Sequence, residues 1–340
     1  MLLPNNFART EAVEGVEIPI VDFSVLRERP HSEGELRALA DELAATCRDV
    51  GFFYAEHHGI PDELFERARR ATLDFFALPR ERKDEVHISR SRNHRGYFPA
   101  FEENPLGAFE KDCKEGFDMA LEIPEDDPAV RAGLPLHGPN SWPSSLPGFR
   151  EALTDLYEAL RGFSSDVVGL FARALHLPAD YFDQYTRKPM CQLRILRYPA
   201  GGDRSGSTVG AGAHTDYGLV SNIWQMDHTG LEIQRVDGTW VQAPTVDGTL
   251  VCPIGDAIDI LTNGSWRATV HRVVPGGGTR HSAAFFYDPD YGCPLVPLDR
   301  FVSEQFPARY AATTMGAHIT RGFDGTFTYR NTEGSARHDA

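Results

Sequence analysis

Two residues that commonly bind transition metals stand two positions apart in the segment GAHTDYG, at His214 and Asp216. On a β-strand, side chains two positions apart point to the same face, so an imidazole nitrogen and a carboxylate oxygen could reach one point. A third ligand could come from His271, in the later segment HRVV. Two histidines and one carboxylate leave other metal positions free, which suits a non-haem Fe(II) centre that binds O2 and a reductant. His–Asp pairs are also ordinary surface or turn residues, so the pair alone leaves both interpretations open.

A second pair that could bind a ligand is Arg280 and Ser282, in the segment TRHSAAFFYDP. With Ala284 and Phe286 they occupy one face of a predicted strand. A guanidinium and a nearby hydroxyl can clamp a carboxylate, the arginine by two parallel hydrogen bonds and the serine by one. An arginine on the inward face of a strand is costly unless an anion meets it. The pair therefore predicts either a carboxylate-binding site or an ion pair with a structural Asp or Glu.

The region that must position these residues has the pattern of a β structure. From Cys191 onward, short strand-forming segments alternate with Gly, Asp, Asn and Pro turns. Residues 236–238 and 262–264 carry hairpin turn signals. Short, regularly spaced strands predict an antiparallel sandwich or jelly roll. A helix over about 304–317 is predicted to follow, and then a short tail.

The N-terminal half has a different pattern, with amphipathic helices beside short buried strands. Residues 78–147 are charged and rich in proline, which predicts an irregular functional surface. The predicted elements are a strand over 18–23, a helix over 32–48, a strand over 51–60, and helices over 62–76 and 148–177. We expect one functional unit in three parts: a mixed α/β region over 1–147, a helix plus β core over 148–300, and a C-terminal helix and tail over 301–340.

Composition and charge exclude several classes of partner. The chain has 340 residues, with 34 Lys+Arg against 49 Asp+Glu and a net charge of −15. This charge argues against nucleic acid or an anionic membrane as the main partner. Five scattered cysteines without a CxxC pair predict reduced thiols, and the N-terminus lacks a signal-peptide pattern. We therefore expect a cytoplasmic protein that acts on a small molecule; the sequence leaves its oligomeric state open.

The order HxD, then His, then RxS in turn-rich β sequence resembles the 2-oxoglutarate/Fe(II) dioxygenases of the isopenicillin N synthase-like family. The segments IPIVDF, CRDVGFFYAEHHGIP, FFALPRERK and RGYFP resemble the family's N-terminal half. LRILRYP, GAHTDYG, GLEIQRVDGTWVQAP, GDAIDILTNGSWRATVHRVV and RHSAAFFYDP resemble its catalytic core. The resemblance implies a mainly β fold, a double-stranded β-helix (jelly roll) with helices packed outside. It also implies that His214, Asp216 and His271 bind Fe(II), and that Arg280 and Ser282 bind a carboxylate.

The activity implied by this resemblance is the Fe(II)- and 2-oxoglutarate-dependent oxidation of a small molecule by O2, with release of succinate and CO2. The substrate would be an amino acid or a secondary metabolite. Halogenating relatives have Gly or Ala at the position of Asp216, so hydroxylation, desaturation or ring closure is expected here. Two alternatives stay open. One is an oxidase of the same family that works without 2-oxoglutarate, and the other is a non-catalytic jelly-roll binding module with a vestigial metal site.

Tyr198 is a further candidate for binding 2-oxoglutarate, because the resemblance places its hydroxyl near that molecule. Packing in the core is the alternative role for this side chain. Leu196, two residues earlier, departs from the family pattern, since many plant members have Asn there. The role of this departure is not predicted.

Three residues are candidates for contact with the substrate. Arg194 is four residues before Tyr198, so the two share a strand face. Arg194 is therefore predicted to bind an anionic group of the substrate, with a buried salt bridge as the alternative. Tyr217 follows the candidate metal ligand Asp216, and Phe286 shares the strand face of Arg280.

Overall fold

The computed structural model describes residues 18–27, 31–104, 111–200, 208–274 and 276–330. Two antiparallel-rich sheets form the core, and helices pack outside them, so the predicted mainly β fold is confirmed. Within the described ranges the strands are β1 Ile20–Asp22, β2 Phe52–Glu56, β3 Gly96–Phe98, β4 Lys111–Asp112, β5 Glu115–Ala120, β6 Gln192–Tyr198, β7 Thr208–Val209, β8 Ala211–His214, β9 Val220–Gln225, β10 Leu231–Gln234, β11 Trp240–Gln242, β12 Leu250–Pro253, β13 His271–Val273, β14 Arg280–Tyr287, β15 Pro294–Leu295 and β16 Thr313–Thr314.

The larger sheet has the strand order β1-β2-β12-β9-β14-β6-β5-β3. The central strand β14 pairs with β9 on one side and with β6 on the other. Four of the eight strands, β1, β2, β3 and β5, come from the N-terminal half. The division predicted at residue 147 remains a prediction, and strands from both sides of it share this sheet.

The smaller sheet has the order β11-β10-β13-β8. Residues of both sheets line one cavity, including Leu196 of β6, Ala284 of β14, Leu231 of β10 and Val273 of β13. The cavity therefore lies between the two sheets, as in a jelly roll. The short pairs β15–β16 and β4–β7 stand apart from the two main sheets.

The helices of the described ranges are α1 Glu33–Asp49, α2 Asp62–Ala77, α3 Arg80–Asp84, α4 Pro128–Arg131, α5 Phe149–Ala174, α6 Asp256–Leu261 and α7 Met315–Thr326. A reciprocal cap starts α1: Ser32 Oγ accepts from the Glu35 amide, and the Glu35 carboxylate accepts from the Ser32 amide. The long helix α5 buries an apolar stripe that includes Leu153, Leu156 and Leu160. That stripe packs α5 against α1, α2 and the larger sheet. Within the described residues, no helix is long and apolar enough to cross a membrane.

The irregular surface predicted over residues 78–147 contains two strands of the larger sheet. The segment EGFDMA forms β5, which pairs with β3 on one edge and with β6 on the other. Strand formation depends strongly on neighbouring strands, and the flanking prolines and charges obscured this segment. The prediction of an irregular segment is therefore wrong at β3 and β5.

Two further local predictions are wrong near the end of the β region. Residues 304–312 contain no helix, and α7 begins only at Met315, after Thr314 accepts a capping hydrogen bond. Pro307 lies within the segment predicted to be helical, where proline cannot donate a backbone hydrogen bond.

The turn signal at 262–264 marks the end of α6, not a hairpin. Asn263 and Gly264 both have positive φ, which helix ends require as often as hairpins do. The hairpin predicted at 236–238 joins β10 to β11 and is confirmed.

Candidate metal centre and active site

His214 and His271 face each other across the antiparallel pair of β8 and β13. Their ring centroids are 4.3 Å apart. Asp216 follows β8, and its Oδ1 lies 3.8 Å from Nε2 of His214 and 3.7 Å from Nε2 of His271. One ligand atom from each of the three side chains lies within 4.8 Å of the others. The strand pairing thus brings together the three residues that the sequence predicts as a metal site.

Hydrogen bonds orient both imidazole rings toward this point. Nδ1 of His214 lies 2.7 Å from the carbonyl oxygen of Gly212, and Nδ1 of His271 lies 3.0 Å from that of Thr269. A carbonyl can only accept, so each Nδ1 carries the proton and donates it. Each Nε2 therefore keeps a free lone pair, which a metal ligand requires.

The carboxylate of Asp216 is held in the same manner. Ser221 Oγ donates a 2.5 Å hydrogen bond to Oδ2, which leaves Oδ1 facing the two histidines. The loop that carries Asp216 is fixed by α6, whose first amide groups donate to the carbonyl oxygens of Asp216 and Gly218. A Cβ at Gly255 would lie 2.4 Å from the Gly218 oxygen, so only glycine permits this close approach. Asp216 is therefore a rigidly oriented candidate ligand.

The electrostatics of the site favour metal binding. Desolvation lowers the pKa of His214, and the neighbouring His271 lowers it further. A neutral imidazole is the form that binds a metal. Asp216 and His271 are only 5% and 4% exposed, and all three residues line the cavity. Two nitrogen ligands and one carboxylate at one end of an open cavity fit Fe(II), with positions left for other ligands.

Arg280 and Ser282 line the same cavity from β14. Arg280 is 4% exposed, and Nη1 donates a 3.1 Å hydrogen bond to Ser282 Oγ. Its other donors contact the Gln225 side-chain oxygen at 3.3 Å and the His228 carbonyl oxygen at 3.1 Å. No carboxylate within the described ranges forms an ion pair with Arg280. A buried cation without an anion is costly, so this arrangement fits a carboxylate ligand.

Tyr198 lies directly across from Arg280 in the β6–β14 ladder. The guanidinium carbon of Arg280 is 4.9 Å from the centre of the tyrosine ring, a cation–π contact. Leu196 lies across from Ser282 and is 6% exposed. The position that departs from the family pattern therefore forms an apolar wall beside the carboxylate clamp.

Arg194 lines the cavity, but its guanidinium is already paired. Nε and Nη2 donate to the two carboxylate oxygens of Asp118 at 2.7 and 2.9 Å. Nη1 donates to both oxygens of Glu103 at 2.9 Å. An anionic substrate group would meet two carboxylates here. The buried salt bridge is the alternative that the structure contains, and the predicted role in binding a substrate anion is not retained.

Tyr217 and Phe286 both line the cavity. The Tyr217 ring packs at right angles to Phe323 of α7, with centroids 5.8 Å apart. A Cβ at Gly322 of α7 would lie 2.3 Å from the same ring. Helix α7 therefore fixes the position of Tyr217 at the cavity wall.

Several cavity residues were not predicted from the sequence. Lys114 forms ion pairs with Asp112 and Glu103, and Gln192 and Asp288 lie near the end of the β6–β14 ladder. Burial, together with the nearby charge of Asp216, raises the pKa of Asp288 to about 8. Successive side chains of a strand point to opposite faces, and this alternation along β6 and β14 places Gln192 and Asp288 on the inward face. The same alternation could have predicted both residues from the sequence.

Comparison with known proteins identifies the family. Residues 18–145 match the model described as "non-haem dioxygenase in morphine synthesis N-terminal", and residues 189–289 match that of the 2OG-Fe(II) oxygenase superfamily. A 2-oxoglutarate-dependent dioxygenase of Monascus ruber is 36% identical over 83% of this chain and 88% of its own length. The chain belongs to the 2-oxoglutarate/Fe(II) dioxygenases. A homoarginine-6-hydroxylase of Arabidopsis thaliana is 31% identical to this dioxygenase, over 86% of this chain and 82% of its own.

Solved structures give the same result. A Neurospora crassa protein in complex with alpha-KG superposes on this dioxygenase with a TM-score of 0.77 and 25% identity, covering 91% of this chain and 96% of that one. A 2OG-Fe(II) oxygenase family protein of Caulobacter crescentus also has a TM-score of 0.77, with 28% identity over 90% and 98% of the two chains. The dioxygenase is thus an oxidoreductase that uses Fe(II), 2-oxoglutarate and O2. The predicted family, activity class and cofactors are confirmed.

Proposed function

We propose that His214, Asp216 and His271 hold the Fe(II) of this dioxygenase. The three ligand atoms converge within 4.8 Å, and backbone carbonyls orient both histidines. When bound, the iron supplies the redox chemistry with O2 and 2-oxoglutarate. The task of the protein residues is to fix the geometry of the ligands and to keep the neighbouring space dry.

We further propose that the distal carboxylate of 2-oxoglutarate binds to Arg280 and Ser282. The observation that carries this assignment is the burial of Arg280 without a carboxylate partner among the described residues. A carboxylate would accept parallel hydrogen bonds from the guanidinium and one from the hydroxyl. The Tyr198 ring stacks against the guanidinium and orients it. Leu231 and Val273 add apolar walls that exclude water from this part of the cavity.

The substrate is proposed to be a small molecule that occupies the rest of the cavity, beside Tyr217 and Phe286. Relatives support a substrate of this size. One relative is named a homoarginine-6-hydroxylase, and the structure of the Neurospora crassa protein has been determined with alpha-KG and thymine. The outcome would be hydroxylation, desaturation or ring closure at a C–H bond. In hydroxylation, 2-oxoglutarate and O2 give succinate, CO2 and a product with one added oxygen atom.

The test is to measure succinate, O2 consumption and oxidised product together, using a library of amino acids and secondary metabolites. We expect succinate and oxidised product in equal amounts, and little succinate without a substrate. Oxidation at full rate without 2-oxoglutarate would instead favour the oxidase of the same family. An iron-free protein without turnover would favour a non-catalytic binding module.

A further inference from the structure

The cavity-facing residues of β6 and β14 form one continuous row. Arg280, Ser282 and Phe286 of β14 line the cavity, and so do the β6 residues across from them. Arg280 and Tyr198 occupy one end of the row. The other end has Gln192, which pairs with Phe286, and then Asp288, which directly follows β14. The carboxylate clamp and this second polar group are therefore at opposite ends of the ladder.

At this second end, one buried polar atom of each side chain lacks a hydrogen-bond partner among the described residues. Gln192 and Asp288 are each 5% exposed. Nε2 of Gln192 and Oδ1 of Asp288 are buried without a hydrogen bond to any residue that the structure describes. A buried polar group that lacks a partner costs about 1–3 kcal/mol, and more if it is charged. Such groups are rare in folded proteins, so two of them at one end of a ligand cavity indicate a missing ligand.

The charges of the cavity indicate which ligand fits there. Lys114 is paired with Asp112 and Glu103, and Arg194 is paired with Glu103 and Asp118. No cation of the described chain forms an ion pair with Asp288. The Asp216 carboxylate is a second acidic group near this end. An anionic group is disfavoured beside these acidic residues, whereas the Asp288 carboxyl can accept a hydrogen bond from an N–H donor whether the carboxyl is charged or neutral.

We propose that Asp288 and Gln192 form a substrate-binding subsite for a group that has an N–H donor next to an oxygen acceptor. The N–H donates to the Asp288 carboxyl, and the Gln192 amide donates to the oxygen. Phe286 pairs with Gln192, and Asp288 is two residues further along the chain. Such diagonal neighbours are roughly 7–8 Å apart, so one functional group can reach both side chains. Amino acids, amides and cyclic imides have this pattern of donor and acceptor. The inference rests on the proposed function, because it gives the substrate class of that same cavity.

The experiment measures binding to the dioxygenase loaded with Fe(II) and 2-oxoglutarate, without O2, by calorimetry. The nitrogen-bearing probes are L-homoarginine, L-glutamine and thymine, and the nitrogen-free probes are octanoate and a methylated resorcinol. We expect at least one nitrogen-bearing probe to bind. Asp288→Leu should weaken that binding about 10- to 100-fold, since the N–H of the ligand is left without an acceptor. Gln192→Met should weaken it up to about tenfold.

The control is Asp180→Asn, which changes an exposed carboxylate outside the cavity and should bind the probes as the wild type does. Without ligands, Asp288→Leu and Gln192→Met should melt no lower than the wild type, because each removes an unpaired buried polar group. Lower melting temperatures for both variants would show a purely structural role and overturn the subsite. Absence of binding by every nitrogen-bearing probe, or binding of a nitrogen-free probe that both variants retain, would also overturn it. If the wild-type protein does not turn over 2-oxoglutarate with any substrate, the proposed function itself would be wrong.

Discussion

Arg194 and Arg280 point into the same cavity from neighbouring strands, but only Arg194 has carboxylate partners among the described residues. Asp118 and Glu103 together occupy its guanidinium. Within the described ranges, the hydrogen-bond partners of Arg280 are all neutral. We therefore expect different roles for these two inward arginines: Arg194 stabilises the fold, and Arg280 is available for an anionic ligand.

Removal of the Arg280 side chain should impair 2-oxoglutarate binding. Arg280→Ala loses a charge-assisted contact in a buried pocket, at a cost of about 2–5 kcal/mol. Arg280→Lys should restore only part of the affinity, because an ammonium cannot present two parallel N–H donors. Anaerobic calorimetry of 2-oxoglutarate with the Fe(II) protein measures both. Unchanged affinity in Arg280→Ala would refute the clamp.

Substitution of Arg194 should instead reduce the stability of the fold. Arg194→Ala leaves the fully buried Asp118 without its partner, so the free energy of unfolding should fall by about 3–5 kcal/mol. The matched control is Arg82→Ala, which breaks an exposed ion pair with Glu85 and should cost no more than about 1 kcal/mol. Urea unfolding compares the two. If Arg194→Ala retains full stability and only the KM of the substrate rises, the substrate role of Arg194 would return.

The three proposed iron ligands should each be required for metal binding. Replacing His214, Asp216 or His271 by Ala should abolish iron binding and turnover, while circular dichroism shows an intact fold. His57→Ala is the control, because His57 belongs to an exposed cluster with Asp22 and Glu56 whose side chains also converge. Metal analysis should find iron in this control as in the wild type. Iron at the wild-type level in any of the first three variants would contradict the assignment.

Ser221 should affect iron affinity without contacting the metal. Ser221→Ala removes the hydrogen bond to Oδ2 of Asp216, and loss of such a partner typically weakens metal binding about 10- to 100-fold. Ser221→Thr retains the hydroxyl and should keep most of the affinity. Competition with a coloured iron chelator measures the difference. Equal affinities in the alanine variant and the wild type would mean that the bond is incidental.

The ion pairs of Glu115 predict a loss of stability in acid. Burial raises the pKa of Glu115, but hydrogen bonds from Lys83, Tyr97 and Arg197 outweigh it, so the pKa is below its ordinary value. A depressed pKa means that the contribution to stability is complete above the unfolded pKa of about 4.3 and is lost as the pH falls through the folded pKa. Glu115→Gln should therefore cost about 3 kcal/mol at neutral pH and progressively less in acid.

Urea unfolding at pH 7 and at about pH 3 measures this change in the Glu115→Gln effect. Glu66→Gln, an exposed substitution on α2, serves as the control and should show little effect at either pH. If Glu115→Gln lowers the free energy of unfolding by the same amount at both pH values, the charge of Glu115 does not contribute to stability.

The sequence predicts most of the candidate metal centre, because side chains two positions apart on an extended segment share a face. In the structure β8 ends at His214 and Asp216 follows it, yet the two side chains still converge. The position of His271 across from His214 depends on the register of β8 and β13, which residue spacing does not determine. The resemblance to the dioxygenase family supplied that relationship. Ser221 was missed because its bond to Asp216 spans a loop that has no regular period.

The partner of Arg194 could not be predicted for a different reason. Glu103 and Asp118 lie in the region expected to be irregular, so no pattern placed a carboxylate beside β6. The pairing of β5 with β6 sets Asp118 directly across from Arg194. From the sequence, a buried inward arginine predicts an anionic partner. The strand order of the folded protein is needed to determine whether that partner is a protein carboxylate or a ligand.

The mixed origin of the larger sheet has a consequence for synthesis of the chain. A fragment limited to residues 189–289 would lack β2 and β5, which pair with β12 and β6. It would therefore expose two unpaired strand edges, and such edges promote aggregation. Because the N-terminal half is translated first, β2 and β5 are already present when their partners leave the ribosome. The N-terminal half thus protects the later strands of the sheet from intermolecular pairing while the chain is made.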